Sequence, residues 1–210
     1  KIKQEASDYV SLMTPVVKSL FTDLAMEITS DAMQIHGGYG FTKDQGIEQL
    51  YRDNRITPIY EGTNSVQAAD LVFRKLTNKN GDIIGKFLEM IKSECDGKNG
   101  KVKTFSEELN YYLDILSKFT DWIKEKHNDD KDDVSAAAND YLKTLGFVSL
   151  AYSWIKVLDV SYNEYDSNKK FYDDKINTAK FYFEKVLPRA ELHYKSAISG
   201  SSNIMNFKFN

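Results

Sequence analysis

Glu61 is the residue whose type and setting most suggest chemistry. It lies in the segment 59–64, Ile-Tyr-Glu-Gly-Thr-Asn, where two apolar residues precede the acid and a glycine follows it. Burial in such a loop would raise the pKa of the carboxyl towards neutrality, which suits a general base. A helix N-terminus just after the loop would lower the same pKa. The segment indicates a base able to take a proton from a carbon next to a carbonyl; the alternative is an exposed loop glutamate.

A second candidate segment lies upstream and is rich in glycine. Residues 34–41 read Gln-Ile-His-Gly-Gly-Tyr-Gly-Phe, and a glycine pair is a normal helix stop. The spacing is not that of a phosphate-binding P-loop, and no strand pattern precedes it, so it is not a dinucleotide-binding fingerprint either. The isolated His36 is interpreted as a packing residue rather than a ligand or a base.

Helices must position both segments. Apolar residues between Tyr9 and Ile28 recur at the i, i+3 and i+4 positions of an amphipathic helix, which the glycine pair ends. Pro15 falls inside this pattern. It predicts either a kink or a helix start near Thr14, with the proline at the first helical position.

Further helices follow along the chain. A short helix is predicted over residues 47–54, and Asn64 is predicted to cap the next one, with Gln67 completing a capping box. No strand alternation is visible, so the chain is predicted to be all-α, in antiparallel bundles. The acidic run 129–133 is interpreted as a solvated loop leading into a helix. The other helices are predicted over residues 83–95, 105–126, 134–160 and 176–198, with polar breaks at 77–82, 96–100, 127–133 and 162–174.

Composition narrows the class of protein. The 28 basic and 31 acidic residues nearly balance, which argues against a nucleic-acid binder held by a basic face. No apolar run is long enough to cross a membrane. Cys95 is the only cysteine, so the chain has no intrachain disulfide, which fits a reducing compartment. The three histidines lie far apart and suggest no metal site.

In order and spacing, these segments resemble the C-terminal signature of the acyl-CoA dehydrogenase family. The resemblance runs from about Tyr9 to Leu76 and includes the charged run 51–55, Tyr-Arg-Asp-Asn-Arg. It implies that Arg52, Asp53 and Arg55 belong to a motif whose ion pairs and hydrogen bonds hold the loop before the base.

Residues beyond this signature resemble the additional C-terminal helical domain of a bacterial subgroup, most strongly at residues 179–189. We therefore expect two units. Residues 1–77 would be part of the acyl-CoA dehydrogenase C-terminal helical domain, and residues 81–210 would be the additional helical domain. The second unit is expected to cover the first one or a subunit interface.

The resemblance implies α,β-dehydrogenation of an acyl-CoA thioester to a trans-2-enoyl-CoA. Glu61 would remove the α-proton as general base. Its backbone N–H would donate to the thioester oxygen and stabilise the developing enolate. Tyr60 and Gly62 would line the thioester end of the substrate pocket.

The resemblance also implies FAD as cofactor. Gln34, Gly37 and Gly38 match positions that pack against the adenosine-diphosphate part of FAD held by a neighbouring subunit. Thr63 and Ser65 match positions near the FAD pyrophosphate, where hydroxyls at a helix N-terminus form a sensible anion site. Simple helix capping is the alternative for these two residues.

The implied setting is a homo-oligomer, a dimer or a tetramer, in the bacterial cytoplasm. Acyl-CoA would be the substrate and electron-transfer flavoprotein the acceptor, with no nucleic-acid partner and no membrane span. The sequence begins without methionine and is expected to be a fragment that binds FAD poorly and is inactive alone. The alternatives are an acyl-CoA oxidase, a flavoprotein outside β-oxidation on the same scaffold, or a structural helical assembly module.

Overall fold

In the computed structural model the described residues, 2–77 and 82–208, form an all-α protein without strands, which confirms the predicted fold class. The predicted boundary at 77–82 and the start of the second unit at residue 81 involve residues 78–81, which lie outside the described ranges. The α-helices are α1 (Ile2–Ile35), α2 (Ile47–Asn54), α3 (Asn64–Asp70), α4 (Ile83–Asp96), α5 (Val102–Asp129), α6 (Lys131–Asn163), α7 (Lys169–Phe181), α8 (Arg189–Ala197) and α9 (Ser202–Met205). Short 3-10 segments cover Gly37–Phe41, Lys43–Gln45 and Tyr165–Ser167, and π-helical turns follow α3 and α7 at Leu71–Lys75 and Tyr182–Val186.

Helix α1 continues through Pro15, so a helix start near Thr14 is wrong. A proline has no N–H, and the carbonyl four residues earlier therefore loses its helical donor. Lys75, at the end of the π-helical turn after α3, supplies the missing donor to the Ser11 carbonyl. Its ammonium also pairs with Asp70 at 3.6 Å. This contact offsets the effect of the proline and ties the end of α3 to α1.

The predicted helix over 176–198 is in fact two helices. Helix α7 begins at Lys169, inside the predicted polar break, because the Asn168 side chain caps it by accepting the Phe171 N–H at 3.3 Å. Pro188 lies at the N-cap of α8. Since proline cannot donate to the preceding turn, it separates α8 from the π-helical turn that ends α7.

A single residue, Asp130, separates α5 from α6. Its carboxylate accepts the N–H groups of Asp132 (2.9 Å) and Asp133 (3.3 Å), which confirms that the acidic run enters a helix. Asp133, however, is buried rather than solvated. It pairs with Lys126 Nζ at 2.8 Å and accepts from the N–H (2.7 Å) and Oγ (2.8 Å) of Ser201. This carboxylate is buried because the first turn of α6 packs against the C-terminal segment that contains Ser201.

Helix α6 is the central helix of the fold and packs against α1, α3, α5, α7 and α8. Gly146 marks a close approach to α1. A Cβ at this position would lie 2.5 Å from Leu20 Cδ2 and 3.2 Å from Val16 Cγ1. The helices after residue 82 therefore cover α1 and α3, which was one of the two expected arrangements.

A second face of α1 is apolar but exposed. Five exposed apolar side chains form this face. At about 100° per residue, they lie within about 40° of one another around the helix. We call this face the α1 stripe. Its members, with exposed fractions, are Val10 (67%), Val17 (45%), Phe21 (49%), Ile28 (65%) and Ile35 (84%).

Candidate active site

The segment between α2 and α3 is a tight loop closed by its own backbone. The Ile56 carbonyl accepts the Tyr60 N–H at 3.1 Å. The Pro58 carbonyl then accepts the Asn64 N–H, also at 3.1 Å, where α3 begins. This second bond closes a ring that contains Glu61. We call residues 58–64 the base loop.

Glu61 has a left-handed backbone conformation, with φ at +55°. It is the single non-glycine residue with positive φ in the part of the chain that the structure describes. This region costs an L-residue about 1–2 kcal/mol, and such strain is concentrated at functional sites. Gly62 follows at φ +84°, so backbone conformation requires a glycine here whether or not a ligand approaches.

Two side chains outside the turn hold its carbonyl groups. Gln67 Nε2 donates to the Glu61 carbonyl at 2.9 Å. Lys18 Nζ, from α1, donates to the Gly62 carbonyl at 2.7 Å and to Asn64 Oδ1 at 2.7 Å. The base loop is therefore fixed from α1 on one side and from α3 on the other.

The N-cap of α3 is Thr63, whose Oγ1 accepts the Val66 N–H at 3.4 Å. The predicted capping box at Asn64 is therefore wrong. The Asn64 side chain turns to α1 instead, where its amide donates to Asp23 Oδ1 at 2.7 Å and its oxygen accepts from Lys18. Hydrogen bonds to charged groups are stronger than one to a neutral backbone N–H, and these two partners compete successfully for the side chain.

The carboxylate of Glu61 is exposed in this chain. The two apolar residues before it are also open to solvent, with Ile59 at 46% and Tyr60 at 49% exposure. The alternative of an exposed loop glutamate thus describes the chain taken by itself. Any burial of the base has to come from groups outside the described residues.

The glycine-rich segment forms a separate part of the candidate site. Gln34, Gly37 and Gly38 line one surface depression of about 350 Å³. Gly37 has φ at +61°, which explains its glycine. Gly40 is buried, and a Cβ there would come within 2.6 Å of the Met33 carbonyl oxygen. A Cβ on Gly38 would meet no atom within 4 Å.

Ser65 is exposed at the start of α3, beside Thr63. Its Oγ accepts from Asn139 Nδ2 of α6 at 3.3 Å. The residue predicted to lie near a cofactor is thus also a contact to the second half of the chain.

The charged run before the base loop does not form the expected ion pairs. Arg52, Asp53 and Arg55 are exposed, and none takes part in a salt bridge with another described residue. The ion-pair part of that prediction is wrong within this chain. The loop is held by backbone hydrogen bonds and by α1 instead.

Sequence reasoning missed Lys18 and Asp23. Lys18 is 44 residues from Gly62 in the sequence, and nothing local connects them. The available signal was that Lys18 and Thr22 lie one turn apart and form a polar strip beside the buried face of α1. Such a strip on a core-facing helix indicates buried hydrogen bonding.

Two family models cover most of the chain. One, described as "Acyl-CoA dehydrogenase, C-terminal domain", matches residues 2–76, and the other, "Acetyl-CoA dehydrogenase C-terminal like", matches residues 87–208. This chain belongs to the acyl-CoA dehydrogenase family. The resemblance carried by the glycine-rich segment and the base loop is confirmed.

Members of the acyl-CoA dehydrogenase family from several organisms align with the chain. It is 45% identical over 89 residues to 3-methylmercaptopropionyl-CoA dehydrogenase of Ruegeria pomeroyi, covering 42% of this chain and 15% of that protein. It is 27% identical over 206 residues to a butyryl-CoA dehydrogenase of Syntrophomonas wolfei, covering 89% of this chain and 32% of that protein. The chain thus spans a third or less of the length of these relatives.

A solved acyl-CoA dehydrogenase has the same fold. Caenorhabditis elegans ACDH-11, in complex with C11-CoA, matches with a TM-score of 0.73 and 22% identity over 98% of this chain and 34% of that one. Within the described ranges, no helix is long and apolar enough to cross a membrane. The same residues contain no group of three or more His, Cys, Asp or Glu side chains arranged to hold a metal ion.

Proposed function

We propose that this chain is the C-terminal part of an FAD-dependent acyl-CoA dehydrogenase and that it carries the general base. The observation that supports this proposal most directly is the left-handed backbone conformation of Glu61, which lies inside the region that matches the family. A conformation that costs free energy persists where the surroundings hold it, and such residues cluster at active sites.

The proposed reaction removes two hydrogens from an acyl-CoA thioester. The Glu61 carboxylate takes the α-proton, and the electron pair left on the α-carbon forms the new double bond. When bound, FAD supplies the acceptor for the β-hydrogen with its electron pair. The Glu61 N–H donates to the thioester oxygen and stabilises the charge that develops there. Tyr60 and Gly62 border the reacting end of the thioester, and the product is a trans-2-enoyl-CoA.

The glycine-rich segment is proposed to hold the adenosine-diphosphate part of FAD. Gln34, Gly37 and Gly38 share one depression. The open space at Gly38 supports this proposal. The packing of the chain itself does not require a glycine there, whereas close approach of a ligand to the backbone would. Thr63 and Ser65 would meet the pyrophosphate region, because a hydroxyl that makes one hydrogen bond can still make others.

The proposal includes an assembly larger than this chain. Ile59 and Tyr60 are half-exposed and the α1 stripe is open to solvent, and exposed apolar patches are typical of interaction sites. We propose a homo-oligomer, a dimer or tetramer in the bacterial cytoplasm, that passes electrons to electron-transfer flavoprotein. The chain alone would be inactive and bind FAD poorly. We also propose the division into residues 1–77 and 81–210.

The test uses the intact protein that contains this chain, purified with its flavin. Acyl-CoAs of graded length and branching are added anaerobically and the flavin absorbance is followed. We expect one substrate class to bleach the flavin. Glu61→Gln should slow bleaching about 10²–10⁴-fold, the range for loss of a general base, with FAD content unchanged. Glu48→Gln, on α2 outside the base loop, is the matched control and should bleach as the wild type does.

The other outcomes separate the alternatives. Fast peroxide formation in air would identify an acyl-CoA oxidase. Bound flavin that no acyl-CoA bleaches would favour a flavoprotein with other chemistry. Full activity in Glu61→Gln, or no flavin at all, would contradict the proposal and favour a structural module.

A further inference from the structure

The left-handed backbone conformation of Glu61 requires stabilising contacts from the surrounding residues. A left-handed glutamate costs about 1–2 kcal/mol, and the exposed loop offers little packing to offset this. Lys18 supplies two hydrogen bonds at the end of the loop, to the Gly62 carbonyl and to Asn64 Oδ1, each 2.7 Å long. These are charge-assisted bonds, which are about twice as strong as neutral ones.

Lys18 is unusual in its choice of partners. It is half-buried, and an ammonium partly removed from water needs hydrogen-bond acceptors, of which a carboxylate would be the strongest. Within the described residues it makes no salt bridge, although Asp23 lies just over one turn away on the same helix. Its ammonium is directed at two neutral oxygens of the base loop instead. The ammonium of Lys18 therefore stabilises the base loop by hydrogen bonds instead of forming an ion pair.

Asn64 connects this contact to the rest of the fold. Its oxygen accepts from Lys18, and its amide donates to Asp23 Oδ1 at 2.7 Å and to the Ser19 carbonyl at 3.2 Å. Asp23 in turn pairs with Lys143 of α6 at 3.6 Å. The helix that covers α1 thus supports the carboxylate to which Asn64 is bound.

We propose that Lys18 and Asn64 are positioning residues for Glu61, and that together they clamp the base loop to α1 in its reactive conformation. This inference rests on the proposed function. Neither side chain needs to touch the substrate. Their effect is on where the carboxylate and the Glu61 N–H lie, and a misplacement of about 1 Å at a reacting group can cost about 10²-fold in rate.

The test compares three variants of the intact, flavin-loaded protein. Lys18→Met removes both bonds of the clamp. Lys18→Arg keeps the charge and the donors. Lys75→Met is the matched control, because Lys75 also joins the α3 region to an α1 carbonyl, that of Ser11, but does not touch the base loop. Amide hydrogen exchange of residues 58–64, flavin content, kcat and KM are measured for each.

We expect Lys18→Met to speed exchange in residues 58–64 at least about tenfold and to lower kcat about 10–100-fold, since the loss is in orientation. KM should change less than about threefold, because the substrate-binding surface is retained. Flavin content should not change. Lys18→Arg should recover most of kcat. Lys75→Met should lower the melting temperature but leave loop exchange and kcat near wild type.

Each other result overturns the inference. Unchanged exchange in Lys18→Met shows that no clamp exists, and faster exchange with unchanged kcat shows that the clamp does not position the base. Equal losses in Lys18→Met and Lys75→Met indicate general destabilisation. Wild-type protein that oxidises no acyl-CoA overturns the proposed function itself, and this result is recognised before any variant is compared.

Discussion

At the scale of single residues, Asp133 combines burial, charge and three hydrogen-bond donors. The ammonium of Lys126 and then the N–H and hydroxyl of Ser201 hold the pKa of this carboxyl below its usual range. A carboxyl whose pKa is lowered on folding stabilises the protein above its unfolded value of about 3.9. That stabilisation is lost as the pH falls through the lower, folded pKa.

The first prediction concerns Asp133→Asn, which keeps the shape but removes the charge. At pH 7 the variant should be less stable by about 1.5–3 kcal/mol, the range for hydrogen bonds to a charged group. Near pH 3 the difference from wild type should shrink, because the unfolded carboxyl is then largely protonated and folding of the wild type has to release that proton. Urea unfolding at both pH values measures it. Asp132→Asn, at an exposed neighbour, should change stability by a few tenths of a kcal/mol, and an equal effect would contradict the role of Asp133.

At the scale of elements, α1 has two apolar faces, one buried and one exposed. Leu12, Val16 and Leu20 are buried against the rest of the chain. The α1 stripe covers about 25 residues, or about 38 Å of helix at 1.5 Å per residue, and is open to solvent. An exposed apolar strip of this length favours association.

The second prediction is that the 210-residue chain by itself forms homo-oligomers through the α1 stripe. Replacing Phe21 and Ile28 by glutamate should convert these oligomers to monomers, since charges in an apolar interface are costly to bury. Light scattering after size-exclusion chromatography measures the mass. Leu192→Glu changes one exposed apolar side chain (66%) on α8 and is the control. A monomeric wild type, or equal dissociation by Leu192→Glu, would rule the stripe out as the contact.

Pro15 and Lys75 show a different relation between elements. The proline removes a backbone donor in α1, and a lysine distant in sequence provides a substitute. Burial lowers the pKa of Lys75, while Asp70 raises it. The helix tolerates its proline because the second element is there.

At the scale of the whole molecule, α6 joins the two halves. Its Gly146 lets α1 approach closely, its Lys143 pairs with Asp23, and its Asn139 contacts Ser65. The extra helices thus lie against the same elements that hold the base loop.

The third prediction is that Gly146→Ala destabilises the chain. Helix propensity alone would make alanine more stable by about 1 kcal/mol. The added Cβ meets Leu20 at 2.5 Å, so we expect overpacking to give a net loss of about 1–3 kcal/mol. Chemical denaturation measures the change. Ser153→Ala, on the exposed side of α6, should stay within about 0.5 kcal/mol of wild type, and a stabilised Gly146→Ala would refute the close contact.

Much was determined by the sequence alone. The helical period predicted the fold class and placed α2, α4, α5 and α6, because an amphipathic stripe is a local property. The glycine-rich segment and the base loop carried the resemblance to the family. Local backbone conformation requires glycine at two of their positions, as the positive φ of Gly37 and Gly62 shows. Helix ends were predicted less well, as at Asn168 and Pro188, where single side chains decide.

Only the tertiary structure decided how the candidate base is held. Asn64 reads as a helix cap because capping is a local preference, yet in the folded chain Lys18 and Asp23 bind its side chain. Asp133 reads as a solvated acid, yet Ser201 binds it. Pro15 reads as a kink or a helix start, yet α1 continues through it and Lys75 offsets its missing donor. In each case the partner lies far away in the sequence, and a hydrogen bond that involves a charged side chain outweighs a local preference worth about 1 kcal/mol.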